Sequence, residues 1–370
     1  MRVLMFYHSV VSDWNHGNAH FLRGVATELQ SLGHDVVIYE PNEGWSYRNL
    51  VQEEGIAPLQ DFARAYPNLK PMKYESNYEF LEKAVEGADL ILVHEWNDPA
   101  LVSQLGRLRE GAGFRLLFHD THHRLASDRA AIMNLELKRY DGVLAFGGSL
   151  AEMYRDLGVV ERVWVWHEAA DTRVFFKRKG SAQGDLVWIG NWGDEERTQE
   201  IQEYICGPVS SLGLRADLYG VRYPYYARII LQQHGISYRG WLPNFRVPEI
   251  FSRFKVTVHV PRRPYTKLLP GVPTIRVFEA LACGIPLVSA PWEDSESLFT
   301  PGSDYLVAHD RKEMERHLRA IVNDPALARE LSLFGQRTVF ARHSCAHRVQ
   351  ELLRIHAQVA PPRAEVAQSA

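Results

Sequence analysis

The 370-residue chain has only three cysteines, Cys206, Cys283 and Cys345, widely spaced and without a Cys-x-x-Cys pair. A disulfide scaffold is thereby excluded, and reduced thiols are expected. Long apolar runs are also missing. The one after Arg2 stops at His8, short of a signal-peptide core or of the roughly 20 residues a membrane-spanning helix needs. The expectation is a cytoplasmic protein, with peripheral attachment to a membrane left open. Neither sign of charge dominates: 42 Lys plus Arg against 45 Asp plus Glu give −3. Without a basic field, duplex nucleic acid is not an expected partner. No G-x-G-x-x-G follows a strand, and there is no G-x-x-x-x-G-K-[ST], no H-E-x-x-H and no Asp-x-Asp pair. These absences argue against a standard dinucleotide site, a P-loop hydrolase and a zinc protease. No metal and no bound cofactor are expected.

Hydrophobic residues make up 46% and charged residues 24%, as in ordinary globular proteins. Aromatics reach 11%, with nine Trp. Apolar strand-like runs at 3–7, 36–39, 90–93, 115–118, 143–146 and 163–166 alternate with helical patterns, the first over about 18–32. Residues 44–87 read as helical, without a strand. After a polar, basic stretch at 167–184 the alternation resumes at 186–189, 217–219, 237–239, 256–260 and 286–289. The pattern predicts an α/β protein of two Rossmann-like, doubly wound domains facing a central cleft. Residues 1–168 form the first and 169–345 the second, followed by a helix end and frayed tail over 346–370. His343 and His347 read as surface positions on a helix.

The most informative segment runs from Pro270 to Ser289. Pro273 suits a first helical turn, and Gly284 suits the stop after Cys283. Free N–H groups at Thr274, Ile275 and Arg276 would make an anion site. Glu279, one turn further on, can accept two hydrogen bonds from a vicinal diol. Its neighbours Phe278, Ala280, Leu281 and Ala282 are too apolar for a free surface. Just upstream, Arg262, Arg263 and Lys267 lie in a Pro-stiffened loop that could clamp a diphosphate, Arg matching phosphate geometry bidentately.

Glu279-Ala-Leu-Ala-Cys-Gly284-Ile-Pro286 resembles the closing signature of GT-B fold glycosyltransferases of the E-x7-E, retaining type. With Arg276 it looks closest to the spore-maturation CgeB-like branch. The resemblance implies a nucleotide diphosphate sugar as donor substrate, with Glu279 on the ribose. The first Glu of the signature is replaced by Gly271. The likeness also places Asn191 where a phosphate-gripping Arg is usual, and leaves Arg197 as the nearest cation. Arg197 serves either the phosphate or a surface pair with Glu195 or Glu200. Tyr238, Gly240 and Trp241 resemble the strand and loop that read the nucleobase. Gly17 matches the small residue that lets backbone approach the diphosphate, and His119 the histidine that contacts the donor sugar. Asp120 would orient His119 or act as acceptor base. His16, Glu95 and Trp96 are acceptor-site candidates, and the acceptor could be a glycan, a small molecule or a protein. Crowded ligand types at His119, Asp120, His122 and His123 do not make a metal site without a distant partner. Trp14, Trp96, Trp192 and Trp241 are expected on loops facing the cleft. The implied activity is metal-independent, retaining sugar transfer. The alternatives are a nucleotide-sugar 2-epimerase or hydrolase on the same fold, and a catalytically silent binding subunit.

Overall fold

The computed structural model describes residues 1–75 and 77–359. The expected frayed tail at 361–370 lies outside the described residues. Seven strands form the first sheet: β1 (Arg2–Phe6), β2 (Asp35–Pro41), β3 (Met72–Tyr74), β4 (Leu90–His94), β5 (Arg115–Asp120), β6 (Gly142–Ala145) and β7 (Val163–Val165). Their spatial order is β3-β2-β1-β4-β5-β6-β7, and every pairing is parallel. The second sheet contains β8 (Gly184–Ile189), β9 (Ala216–Tyr219), β10 (Ser237–Tyr238), β11 (Phe254–His259), β12 (Leu287–Ser289) and β13 (Leu306–Val307). It too is all parallel, in the order β10-β9-β8-β11-β12-β13. Each sheet reverses its winding beside its first strand, the position where doubly wound sheets bind ligands. This is the expected pair of Rossmann-like domains.

Strands buried on both faces explain the continuous apolar runs. Along β1, Val3 and Met5 enter one core while Leu4 and Phe6 enter another. In β8, Val187 and Ile189 face the first of these and Leu186 and Trp188 a third. The first core is shared by both domains: it joins Phe21 and Trp166 to Phe278, Leu281 and Leu352.

The chain crosses between domains twice. Ala170 of the linker pairs with the backbone of His343 and Cys345, each bond 3.0 Å long, where the chain returns. The last helix, Cys345–Gln358, lies against the first, Ala19–Ser31. Gly24 permits that approach, because a Cβ there would meet Cys345 Sγ at 2.5 Å and Asp171 Cβ at 2.8 Å. Trp166 Nε1 adds a 2.8 Å bond to Arg348 O.

Local details depart from the sequence pattern. The 44–87 segment contains β3 as well as helices, a three-residue edge strand too short to leave a period. Pro273 stands outside the Ile275–Cys283 helix, whose N-cap is Thr274. His343 ends a helix and is buried, Nε2 against Leu298 O at 2.8 Å, rather than decorating a surface. His347 closes a capping box with Ser344. Among the described residues, no helix is long and apolar enough to cross a membrane.

Candidate active site

The loops following β8, β10, β11 and β12 meet those following β1, β4, β5 and β6, so the carboxyl ends of the two sheets face each other. On the second domain, the loop after β8 carries Asn191 and Arg197. Asn191 Oδ1 accepts from Arg197 Nη2 at 2.8 Å and from Arg262 Nη2 at 3.0 Å. Arg197 also donates to the carbonyls of Val260 (2.9 Å) and Asn191 (2.7 Å), and lies over the Trp188 ring. It pairs with neither Glu195 nor Glu200; Arg263 takes Glu200, at 3.4 Å. Burial, reinforced by Arg262, pulls the Arg197 guanidinium down to about 9, which leaves it charged at neutral pH. A half-buried cation held, among the described residues, by carbonyl oxygens alone and with its Nε unpartnered favours an incoming anion. Arg262 is shared between Asn191 and Glu196, 2.9 Å away.

The Ile275–Cys283 helix starts beside these arginines. Ser289 Oγ donates to Ala290 O, so it accepts from His259 Nδ1 at 2.9 Å. His259 Nε2, 3.1 Å from Thr274 Oγ1, is then the acceptor for the Thr274 hydroxyl. Burial, then Arg197, lowers His259 to about 3 and keeps it neutral. Thr274 is thus turned away from capping the helix. The first-turn amides of Ile275 and Arg276 remain without an acceptor among the described residues. Gly271, at φ +86°, leaves no room for a side chain: a Cβ there would stand 1.9 Å from Ser295 Oγ. A side chain at this position must therefore displace the Ser295 hydroxyl and adopt a left-handed backbone conformation.

Glu279 is fully buried. It forms an ion pair with Arg276, and Oε1 lies 2.6 Å from His20 Nδ1, outside hydrogen-bond alignment. Burial opposes its ionisation, but Arg276 and His20 prevail and hold it below the usual carboxylate range. Glu168, in the linker, is also buried; desolvation first, then the charge of Glu279, pushes it well up.

The loop after β1 closes this site from the first domain. Arg23, fully buried between Phe62 and Tyr66, donates to Val10 O (2.8 Å), Val11 O (3.0 Å) and Asp13 Oδ2 (2.9 Å). Asp13 then accepts across the cleft from Trp241 Nε1 (3.1 Å) and Asn244 N (3.0 Å). Asn15 Oδ1 accepts from Asn191 Nδ2 at 2.5 Å. Gly17 faces the helix start: a Cβ there would be 3.2 Å from Ile275 Cγ2 and 4.0 Å from Arg276 Nη2. After β12, Glu296 accepts from Gly148 N (2.8 Å) and pairs with His167 (2.9 Å).

The first-domain end of the cleft is lined by histidines. His8 and His16 rings are 4.2 Å apart, His8 and His94 4.9 Å, and His94 and His119 5.4 Å. His119 is enclosed by His94, Trp166 and Phe21, with neither nitrogen hydrogen-bonded; burial lowers it, like His8, to about 3. Asp120 does not orient it. Asp120 Oδ2 accepts from Tyr154 Oη (2.6 Å) and Oδ1 from His122 N (3.0 Å), and burial raises it to about 6. Glu95 is buried beside Asp120 and pushed well up by desolvation and then by that neighbour's charge. Its Oε1 accepts from Thr121 N and Oγ1. Trp96 is exposed at this end, with Arg124 over its ring.

The structure therefore gathers Gly17, Asn191, Arg197, Arg262, Gly271, Thr274, Ile275, Arg276 and Glu279 at one point, and His16, Glu95, Trp96, His119 and Asp120 beside them. It does not gather the rest. Arg263 is drawn to Glu200 and the Glu195 carbonyl, and Lys267 is exposed. Tyr238 is packed between Tyr223 and Arg228, its hydroxyl tied to Gly220 O at 2.8 Å. Gly240, at φ +73°, has open space at its Cβ position, whereas Trp241 is engaged with Asp13. Trp192 is buried in the second-domain core against Tyr223, not on the cleft. Asn15, His20, Arg23, Glu168 and Glu296 had no sequence signal, because each matters only through a distant partner. The lone polar residues in the apolar helix pattern, His20 and Arg23, were the nearest thing to one.

Each domain matches a family model: residues 17–174 "Glycosyltransferase Family 4" and residues 197–354 "Glycosyl transferase-like". With the fold and cleft above, the chain belongs to the glycosyltransferases of GT-B architecture. It is similar in structure to sucrose-phosphate synthase from Thermosynechococcus elongatus, at TM-score 0.69 and 15% identity over 97% of this chain and 98% of that one. It is similar also to Anabaena HepE in complex with UDP and glucose, at 0.69 and 12% over 97% and 100%. A third likeness, at 0.69 and 12% over 97% and 100%, is to an alpha-glucosyltransferase in complex with UDP and a DNA 13-mer containing an HMU base. No curated protein sequence matches the chain.

Proposed function

We propose that the chain transfers a hexose from a nucleoside diphosphate sugar with retention of anomeric configuration, using guanidinium groups and helix amides rather than a metal at the diphosphate. The observation that carries this is the convergence of Arg197 and Arg262 on Asn191 Oδ1, next to the free amides of Ile275 and Arg276. A phosphate oxygen replacing that carbonyl gains two charge-assisted bonds and the positive end of a helix. Glu279, held as a carboxylate, is placed for the ribose hydroxyls once Arg276 and His20 yield part of their contact. UDP-hexoses are the first donors to test, since UDP occupies the related HepE and alpha-glucosyltransferase structures.

In the reaction the bond between the anomeric carbon and the phosphate oxygen breaks as the acceptor oxygen bonds to that carbon. Arg197, Arg262 and the amides stabilise the departing diphosphate. Asp120 has both oxygens occupied, and Glu95 Oε1 is held by Thr121 while burial and then the charge of Asp120 disfavour its ionisation, so neither is a free base for the acceptor. The acceptor proton goes instead to the leaving phosphate oxygen, which fits entry and departure on one face of the sugar. Cross-cleft closure by Asp13, Asn15 and Glu296 excludes water. The acceptor would enter at the His16–Trp96 end. The test is turnover of a panel of UDP-, GDP-, ADP-, CDP- and dTDP-sugars, with NMR of the product anomer. Transfer with retention supports the reading; an inverted anomer, or an epimer formed without acceptor, contradicts it.

A further inference from the structure

Three histidines from separate elements meet at the first-domain end of the cleft. His8 and His16 belong to the loop after β1, and His94 ends β4. One ligand atom from each lies within 4.8 Å of the other two. His16 and His94 are buried and His8 half-buried. Among the described residues, His8 Nδ1 and both nitrogens of His16 have no hydrogen-bond partner, an unusual cost for buried polar atoms unless a ligand is to be received.

His94 is already oriented as metal-bound histidines are. Thr121 Oγ1 gives its proton to Glu95 Oε1 (3.1 Å), so it accepts from His94 Nε2, also at 3.1 Å. That fixes the tautomer and leaves Nδ1 bare apart from a long 3.4 Å contact from Trp96 N. A carboxyl–hydroxyl–imidazole chain of this kind sets a ligand's direction and basicity. Three nitrogens around one tetrahedral ion sit about 3.4 Å apart, so small ring rotations bring this cluster to coordination distance.

We infer that His8, His16 and His94 bind one divalent transition ion of the zinc class, leaving its fourth position open. Neutral imidazoles favour Zn²⁺, Co²⁺, Ni²⁺ or Cu²⁺ over Mg²⁺ and Ca²⁺. On the transfer reading above, the ion's open position takes an acceptor oxygen; the metal-binding claim itself does not depend on that reading.

The test uses the untagged full chain, freed of metal with a chelator and titrated with Co²⁺ or Zn²⁺ alone. One equivalent of Co²⁺ with the intense visible bands of a tetrahedral site is expected, together with a rise in melting temperature on adding Zn²⁺. His16→Ala and His8→Asn should lose stoichiometric binding, and Thr121→Val should weaken it about 10- to 100-fold. His34→Asn, remote from the cluster, should change nothing. The wild-type titration stands even where a variant fails to fold. Absence of a stoichiometric site, binding of Mg²⁺ in preference, or a site that survives both His16→Ala and His8→Asn would overturn the inference. These readouts are independent of sugar transfer, so failure of either reading is seen separately.

Discussion

Arg197 and Arg262 donate to the same oxygen, the side-chain carbonyl of Asn191, at 2.8 and 3.0 Å. Of the two guanidiniums facing this neutral acceptor, Arg262 also pairs with Glu196, while Arg197 has no ion-pair partner among the described residues, which leaves its positive charge at the mouth of a helix. Their mutual repulsion is part of what lowers Arg197. The arrangement is stable only weakly by itself and strongly with a dianion in place of the amide oxygen.

Asn191→Asp tests this directly. A carboxylate between the two arginines supplies internally the charge that the donor brings. Each charge-assisted bond is worth about 1.5–3 kcal/mol. The variant should melt higher than wild type while binding UDP at least about tenfold more weakly, read by thermal unfolding and calorimetry on the same sample.

Gly271 stands where the E-x7-E pattern has its first carboxylate, and Ser295 Oγ fills the space a side chain would need. Restoring the pattern with Gly271→Glu should therefore lower activity. The left-handed φ alone costs about 1–3 kcal/mol, and the Ser295 hydroxyl must be displaced. Pairing Gly271→Ala with Ser295→Gly should recover part of the stability lost by Gly271→Ala alone, as measured by denaturant unfolding.

Glu279 bridges Arg276 of its own helix and His20 of the other domain. Removing one partner of a buried pair costs about 3–5 kcal/mol, and Arg276 is partly exposed, so the low end applies. Glu279→Ala should lower stability by about 3 kcal/mol and weaken UDP binding. UDP affinity unchanged at a temperature where the variant is folded would place the ribose elsewhere.

Stability should fall in mild acid. His16, His94, His119 and His259 are buried, His8 and His122 half-buried, and all six are shifted below their ordinary value, to about 3 where the size is defined. Each is neutral in the fold but gains a proton on unfolding below about pH 6.5, so its stabilising contribution is complete above that pH and is lost on the way down. Glu95, Asp120 and Glu168, all raised, pull the opposite way above their unfolded value. Six groups against three leave a net loss with acid, at most about 1.4 kcal/mol per pH unit for each unbalanced histidine. Denaturant midpoints should decline between about pH 6.5 and 5; a flat profile there would show that the histidines are not held neutral in the fold.

The two-domain architecture was legible because buried parallel strands are continuous apolar runs, and these recur in two sets separated by a polar linker. β3 was not, being three residues at an edge. The donor side was legible in part. Glu279, Arg276 and Gly284 share one short helix whose signals are local, whereas Asn191's place between two arginines depends on loops 71 residues apart in sequence. Arg262 and Arg263 are adjacent in the chain yet face different partners, which spacing does not reveal. Trp192 illustrates the opposite error: a tryptophan beside glycines looks like a loop residue but fills a core. His20 was silent because its partner Glu279 lies in the other domain.

The central claim is that Arg197 and Arg262 receive a nucleoside diphosphate. Calorimetric titration of UDP into wild type, Arg197→Ala and Arg262→Ala examines it most directly, with folding of each checked by thermal unfolding. The account predicts one UDP site in the wild type and affinity reduced about 10- to 100-fold in each variant. Full UDP affinity in both folded variants, or no binding of any nucleoside diphosphate by the wild type, would contradict it.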